Sequence, residues 1–291
     1  MNTRNEPRES VRSSVNVAAP QGNGAELEPQ YDFYQDVMRT LDQAHLPFLV
    51  GGGIAFTYYT GIQRKAKDLD LFVLPEHFAS VMDALSEAGF TTHIRFAHWI
   101  GKATKGDDFV DIIFGSGNGI CAVDQDWFDY AVPVELLGLA VKLCPPEEMI
   151  WSKAFVMERD RFDGADVAHL LVARNETLDW SRLLRRFNDE HWRVLFSHII
   201  LLGFIYPCER NKIPDWVQSE CLRRYRYEMK SDPPQERLCQ GTLFSWSEYL
   251  FDIEQREYMD GRHVPRGNLT PQETTRATAI WKQGEEGRVE R

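Results

Sequence analysis

Two aspartates separated by a single leucine are the side chains in this sequence best suited to chemistry. They are Asp68 and Asp70, in the segment Asp68-Leu69-Asp70-Leu71. Successive side chains of a β-strand point to opposite faces, so both carboxylates share one face and both leucines point into a core. Neighbouring carboxylates repel each other unless a cation lies between them, and their oxygens suit hard divalent ions such as Mg²⁺. The segment therefore predicts a metal ion bound on a strand.

A turn of three glycines precedes the two aspartates. An apolar run ends in Gly51, Gly52 and Gly53, after which residues 54–59 have a helical pattern. Backbone N–H groups at the start of a helix are free to bind phosphate, and glycines let a ligand approach the backbone closely. With the aspartates, the turn predicts a site for a metal-bound nucleoside triphosphate. A plain strand-to-helix turn is the alternative for the glycines.

Basic residues near this segment could neutralise a triphosphate. Arg64, Lys65 and Lys67 lie between the glycines and the aspartates, and a guanidinium such as that of Arg64 can bind phosphate through two hydrogen bonds. Lys153 lies on the apolar face of a predicted helix, so it either reaches the triphosphate or extends its ammonium to water. We expect Arg64, Lys67 and Lys153 to contact the nucleotide; a solvated loop is the alternative for the charge run 64–67.

A third acid, Asp111, lies in a later apolar strand between Val110 and Ile112. The ordered set of glycine turn, Asp-x-Asp strand and third acid resembles the polymerase-β-type nucleotidyltransferase superfamily. The usual pattern there is a hydrophobic residue with two small residues, a helical spacer, the Asp-x-Asp strand and an acid on a later strand. The segment 51–72 looks closest to stand-alone bacterial members, which include toxin-type and antibiotic-modifying proteins. The resemblance covers residues 45 to about 175.

The resemblance implies a particular reaction. Nucleotidyl transfer is an in-line displacement at the α-phosphorus, in which two metal ions about 3.5–4 Å apart hold the attacking and leaving oxygens. Asp68 and Asp70 would bridge both ions, and Asp111 would bind the ion near the acceptor and could take its proton. The implied cofactor is Mg²⁺, or Mn²⁺ in its place, and the implied substrate is an NTP. The acceptor stays open between a small molecule, a protein side chain and an RNA end.

Other polar residues are expected to have ordinary structural roles. Asp163 and Asp166 begin a later helical segment, and we interpret them as helix caps. Support of the acceptor side of the site is the alternative. His169 lies on the same helix and is expected to pack rather than to act in catalysis.

The expected fold class is α+β, with a mixed β-sheet that carries packed helices, followed by a helical region. We predict a disordered tail over residues 1–27, a nucleotidyltransferase domain over 28–145, a helical domain over 146–255 and a mostly polar C-terminal tail over 256–291. Hydrophobic periodicity predicts the individual elements. The predicted helices cover 31–44, 75–88, 147–159, 165–173, 180–187, 191–206 and 214–230, and the predicted strands cover 48–50, 67–74, 91–95, 98–104 and 109–114, with two more in 132–144.

Composition limits the classes of function. The chain has 291 residues, a net charge of −11 and 43% hydrophobic residues, which is typical of a globular protein. The negative charge argues against general nucleic-acid binding, which favours a basic surface. No apolar run approaches the roughly 20 residues needed to cross a bilayer. The five cysteines have neither disulfide-framework nor metal-finger spacing, and we expect a cytoplasmic protein.

Two other classes of function stay open. The first is a catalytically inactive relative that binds nucleotide, or a toxin-type protein that acts through a partner. The second is a glycosyltransferase, because an Asp-x-Asp segment can also chelate a metal-bound nucleotide sugar. The short distance between the glycines and the aspartates argues against the second class.

Overall fold

The structure is a computed structural model that describes residues 28–64 and 68–289. The predicted tail over 1–27 and the basic residues Lys65 and Lys67 lie outside the described residues.

The strands form one large mixed sheet and one small parallel pair. Their bounds are β1 Leu49–Val50, β2 Leu69–Phe72, β3 Thr91–Phe96, β4 Ile100–Lys105, β5 Asp108–Ile113, β6 Val132–Leu136, β7 Leu139–Leu143, β8 Leu238–Cys239 and β9 Met259–Asp260. The large sheet has seven strands in the order β3-β4-β5-β2-β1-β7-β6. Strand β2 is parallel to β5, and β1 is parallel to β7, whereas the other neighbours in this sheet are antiparallel.

Helices pack on the sheet and become the dominant element after β7. Their bounds are α1 Glu28–Gln43, α2 Gly52–Thr60, α3 Phe78–Glu87, α4 Gln125–Asp129, α5 Pro146–Ala154, α6 Gly164–Arg174, α7 Trp180–Ile205, α8 Asp215–Glu228, α9 Leu250–Glu254 and α10 Pro271–Val289. The expected α+β class is confirmed: a mixed seven-stranded sheet with packed helices precedes a helical C-terminal region.

The side chains along β2 alternate between the two faces of the sheet, as the sequence predicts. Leu69 and Leu71 are fully buried, whereas Asp70 and Phe72 between and beyond them are only half-buried on the opposite face. The i, i+3, i+4, i+7 stripe of α1 is buried in the same way, because a helix presents those positions on one side. The sheet is therefore covered on its leucine face and leaves the carboxylate of Asp70 on the other.

Two helical predictions differ from the structure. The helix expected over 147–159 ends at Ala154, and the N–H of Met157 instead donates to the carbonyl of Phe244 over 3.2 Å. Tertiary hydrogen bonds to a distant segment thus replace the last helical turn. The helices expected over 180–187 and 191–206 are the two halves of α7, which is interrupted at Asn188 with φ of 45°. The side chain of Asn188 caps the second half by accepting from the N–H groups of Glu190 and His191.

A capping box begins α10. The N–H of Glu273 donates to Oγ1 of Thr270 over 3.3 Å, and Oε2 of Glu273 accepts from the N–H of Thr270 over 2.8 Å. The backbone is helical to Val289. The predicted C-terminal tail therefore contains a long helix.

One hydrophobic core extends across the expected domain boundary at residue 145. It includes Phe33, on α1, and Leu243, far into the C-terminal region. The division into domains stays a prediction. Within the described ranges, the helices are all too short or too polar to cross a membrane.

Candidate active site

The two acids that the sequence places on separate strands lie side by side. Asp70 on β2 pairs in register with Asp111 on β5. Residues paired across neighbouring parallel strands point to the same face, so both carboxylates are on the face opposite the buried Leu71 and Ile112. Since β2 lies between β5 and β1 in the sheet, Asp70 does not project from an edge strand.

The glycine turn contacts Asp70 directly. The N–H of Gly51 donates to the carbonyl of Asp70 over 3.0 Å, and helix α2 begins at Gly52, whose φ is +54°. A Cβ on Gly52 would lie 1.7 Å from Oδ2 of Asp70. Only glycine fits at this position, because a side chain would overlap the carboxylate and strain the backbone. The Asp70 carboxylate therefore lies against the first turn of α2.

The surroundings of Asp70 disfavour its negative charge. Burial, and after it the neighbouring carboxylates of Asp68 and Asp111, raise the pKa of Asp70 to about 7, although Lys153 and Arg161 act in the opposite direction. The three carboxylates lie close together with too little positive charge between them. A divalent cation that binds their oxygens would stabilise this arrangement.

The donor set fits Mg²⁺ bound together with a nucleotide. The described part of the chain contains no group of three or more His, Cys, Asp or Glu side chains already arranged around a metal position. Mg²⁺ is usually held by one or two carboxylates, with waters and substrate phosphates as its other ligands. Asp68 and Asp70 therefore suit a magnesium–triphosphate complex better than an ion enclosed by protein alone.

A cavity of about 720 Å³ opens beside Asp70. Gly52 and Gly53 line one side with Asp70, and the sheet contributes Phe72 and Ile113. The other walls come from the β3–β4 turn, the loop after β5, α4, α5, the α5–α6 loop, the start of α6 and a distant C-terminal segment. They include Trp99, Ser116, Gly117, Asn118, Trp127, Ser152, Lys153, Glu158, Arg161, Asp163, Asp166, Thr242, Phe244, Ser245 and Trp246. Asp68 and Asp111 are near the cavity but do not line it.

Cations of the cavity are paired with two acids at the start of α6. Nζ of Lys153 lies 2.8 Å from Oδ2 of Asp166 and 3.1 Å from Oδ2 of Asp163. Arg64 reaches Asp166 with Nη1 2.5 Å from Oδ1, and Arg161 binds Asp163 through two hydrogen bonds of 3.1 and 3.0 Å. Lys153 therefore does not extend to open water. Arg64 and Lys153 meet at the carboxylate of Asp166, whereas Lys67 is outside the described residues; contact of these cations with a nucleotide stays a prediction.

The capping interpretation of Asp163 is wrong. Asp163 occupies the position before α6, but its side chain makes no capping hydrogen bond. Burial alone would raise the pKa of Asp163, yet the hydrogen bonds and charges of Arg161 and Lys153 hold it below its usual value. The Asp163 carboxylate thus pairs with the cations in the cavity wall and does not cap the helix.

Asp111 is paired with a lysine. Its Oδ1 lies 3.0 Å from Nζ of Lys102 on the neighbouring strand β4. Sequence reasoning missed Lys102, although a signal was present. The turn Gly106-Asp107 places Lys105 opposite Asp108, and the same register places Lys102 opposite Asp111.

The C-terminal wall of the cavity was also missed as part of the site. Glu158 accepts hydrogen bonds from Oγ of Ser245 at 2.5 Å and from the N–H of Trp246 at 3.0 Å. Asn118 donates to the carbonyl of Leu243 over 2.8 Å. The aromatic-rich stretch 241–253 was the available signal, but periodicity does not say where such a stretch packs.

Comparison with known proteins identifies the family. A family model described as an uncharacterised nucleotidyltransferase matches residues 28–203. No curated protein matches the chain. Among solved structures, the antibiotic-resistance factor ANT(2'')-Ia is 16% identical with a TM-score of 0.35, and the match covers 69% of this chain and 96% of that one.

Two further solved structures are similar to the same extent. A nucleotidyltransferase-like protein from Paracoccidioides brasiliensis is 16% identical with a TM-score of 0.39, covering 67% of this chain and 93% of that one. JHP933 from Helicobacter pylori is 15% identical with a TM-score of 0.37, covering 71% and 94%. Similarities of this size carry no argument about activity. The family model spans more than half of the sequence, and on that ground this chain belongs to the uncharacterised nucleotidyltransferase family.

Proposed function

We propose that the chain transfers NMP from an NTP to a hydroxyl or phosphate acceptor and releases pyrophosphate. One observation carries the proposal. The carboxylate of Asp70 lies against the glycine start of α2, in a cavity that Arg64, Lys153 and Arg161 also line. A phosphate-binding helix terminus, a metal-binding acid and several cations thus share one space. Family membership supports the same reaction.

The glycine turn would bind the triphosphate. The first N–H groups of α2 have no partner within the helix, and the helix dipole favours negative charge at this end. Gly51, Gly52 and Gly53 allow phosphate to approach because no Cβ is in the way. The N–H of Gly51 already donates to the carbonyl of Asp70, so we assign the amides of Gly52 and Gly53 to the β- and γ-phosphates.

The aspartates would hold the metal ion. Asp68 and Asp70 would ligate Mg²⁺, or Mn²⁺ in its place, and the bound ion supplies positive charge to the reacting phosphate and the leaving pyrophosphate. Asp70 ionises more readily once the ion offsets the neighbouring carboxylates. Asp111 pairs in register with Asp70.

Arg64 and Lys153 would neutralise the remaining phosphate charge, with Lys67 as a further candidate from the adjoining segment. Their positions are fixed in advance, because Asp166 binds both Arg64 and Lys153. Preorganised donors contribute more than mobile ones, since they need no rearrangement when the charge develops. Asp166 is thus a positioning residue in this proposal.

The acceptor would occupy the part of the cavity away from Asp70. The cavity is also lined by aromatic and polar residues, including Trp99, Trp246 and Asn118, and its volume leaves room for a small molecule beside a nucleotide. The expectation of a reducing, cytoplasmic location rests on the five cysteines, whose spacing is not that of a disulfide framework.

Pyrophosphate release from labelled NTPs tests the proposal. Wild type should release pyrophosphate in the presence of Mg²⁺ and acceptor extracts, whereas Asp68→Ala and Asp70→Ala should not. Asp83→Ala is the matched control, because Asp83 is exposed on α3, away from the cavity. Equal release from wild type and both variants contradicts the assignment. NTP binding without release, across a broad acceptor panel, favours the inactive binding protein instead.

A further inference from the structure

Asp111, the third acid of the expected site, already has a cation of its own. Oδ1 of Asp111 lies 3.0 Å from Nζ of Lys102, and only 13% and 16% of the two side chains are exposed. Asp111 pairs in register with Asp70 and lies on the same face of the sheet. The acid that the family pattern assigns to a metal ion is therefore already neutralised by a lysine beside the cavity.

Two features hold Lys102 in this place. The hairpin of β4 and β5 sets Lys102 directly opposite Asp111, where side chains of neighbouring strands meet. On the other side, Nζ of Lys102 lies 3.5 Å from the centroid of the Phe109 ring. Phe109 precedes Asp111 by two residues and so projects from the same face. The ammonium is held between a carboxylate and the face of an aromatic ring, which attracts cations.

We propose that Lys102 takes the place of a second metal ion, so that the site binds a single divalent ion through Asp68 and Asp70 and Asp111 is not a metal ligand. This inference rests on the proposed nucleotidyl transfer and specifies how its metal requirement is met. It replaces the expectation of two ions bridged by three acids.

Charge explains why the lysine and a second ion exclude each other. An ion bound to Asp111 would come within a few ångströms of the ammonium, and two cations repel strongly where water is largely excluded. Releasing Asp111 to such an ion would leave a mostly buried ammonium without its carboxylate. One ion at Asp70 meets no such obstacle, because Mg²⁺ is satisfied by one or two carboxylates with phosphate oxygens and water.

Counting bound Mn²⁺ ions by electron paramagnetic resonance tests the inference. The protein is saturated with α,β-methylene analogues of the four NTPs in turn, which bind without reacting. Two Mn²⁺ ions about 3.5–4 Å apart give a spin-coupled spectrum, whereas a single ion gives an isolated one. We expect the isolated spectrum from wild type and from Lys102→Arg, and the coupled spectrum from Lys102→Met, in which Asp111 is freed. A coupled spectrum from wild type, or an isolated one from folded Lys102→Met, overturns the inference.

Asp111→Asn gives a second test that does not depend on Lys102→Met folding. The variant should bind Mn²⁺ with wild-type affinity, and a loss of affinity of about tenfold or more would mean that Asp111 is a ligand. Asp70→Asn separates this inference from the proposed function. If Asp70→Asn binds Mn²⁺ and nucleotide as well as wild type does, the proposed function fails, whatever the number of ions.

Discussion

Gly52 and Asp70 are in direct contact. A Cβ on Gly52 would lie 1.7 Å from Oδ2 of Asp70, and the φ of Gly52 is +54°. The turn that is assigned to phosphate and the acid that is assigned to metal are thus packed against each other, so one cannot be altered without moving the other.

Replacing Gly52 by alanine should abolish activity. The new methyl group would force Asp70 away from the start of α2, and the left-handed backbone adds strain. We expect pyrophosphate release to fall below detection while the sheet stays folded, measured alongside the circular dichroism spectrum.

Gly61→Ala is the matched control for this change. Gly61 also has a positive φ, of +71°, but a Cβ there would meet nothing within 4 Å. It should lose about 1 kcal/mol of stability from backbone strain and keep its activity. Equal losses of activity in the two variants would show that backbone strain, rather than displacement of Asp70, causes the loss.

Replacing Lys153 by methionine should reduce turnover strongly. Methionine keeps the length of the side chain but removes the ammonium that lies between the cavity, Asp163 and Asp166. Loss of one preorganised donor to developing charge costs about 10²–10³-fold in kcat. Steady-state kinetics with saturating NTP measures this, and Lys142→Met, at an exposed position on β7, serves as control. A kcat within twofold of wild type would remove Lys153 from the site.

Much of the fold follows from local sequence rules. The alternation of Leu69 and Leu71 with Asp70 predicts strand β2, with the leucines buried and Asp70 on the opposite face, and the structure has both features. The side chain of Asn188 ends one helix segment and begins the next, where the sequence predicts two helices. Such features depend on residues close to each other in the chain, which is why periodicity and capping rules find them.

The rest of the site depends on contacts between distant residues. Glu158 bonds to Ser245 and Trp246, far along the chain, so local propensity wrongly extends the helix through it. Asp163 occupies a capping position, but the cations of Arg161 and Lys153 bind its side chain instead. Lys102 could have been found from the hairpin register. Trp246 could not, since no local pattern indicates which wall an aromatic residue joins.

Replacing Arg262 by alanine should destabilise the C-terminal wall of the cavity. Nη2 of Arg262 lies 2.6 Å from Oδ2 of Asp260, with 1% and 3% of the side chains exposed. The Arg262 guanidinium also covers the Trp246 ring, 4.4 Å from its centroid. Removal of one partner from a buried ion pair costs about 3–5 kcal/mol. Urea unfolding should show this loss, together with a change in tryptophan fluorescence.

Arg256→Ala is the control for the buried pair. Arg256 forms an exposed pair with Asp252 on α9 and its following turn, and such pairs contribute about 0.3–0.5 kcal/mol. A comparable loss of stability in both variants would show that the burial of Arg262 does not matter.

Replacing His191 by phenylalanine should stabilise the protein, and more so in acid. Neither ring nitrogen of His191 has a hydrogen-bond partner within the described structure, and its ring packs edge-on against Phe155. Burial lowers the pKa of His191, although Glu190 opposes this. The folded state therefore holds the ring neutral, while the unfolded chain takes up a proton below about pH 6.5. Stability from this group is full above that pH and falls as the pH decreases.

Phenylalanine removes both the unsatisfied nitrogens and the proton uptake. We expect a gain of about 1 kcal/mol near neutral pH that grows as the pH falls from about 7 to about 5, because only the wild-type unfolded chain gains a proton at this position. Urea unfolding at both pH values measures it. His93→Phe, at an exposed position on β3, should change stability by less than about 0.5 kcal/mol at either pH. A gain that does not change with pH would show that His191 is protonated in the folded protein as readily as in the unfolded chain.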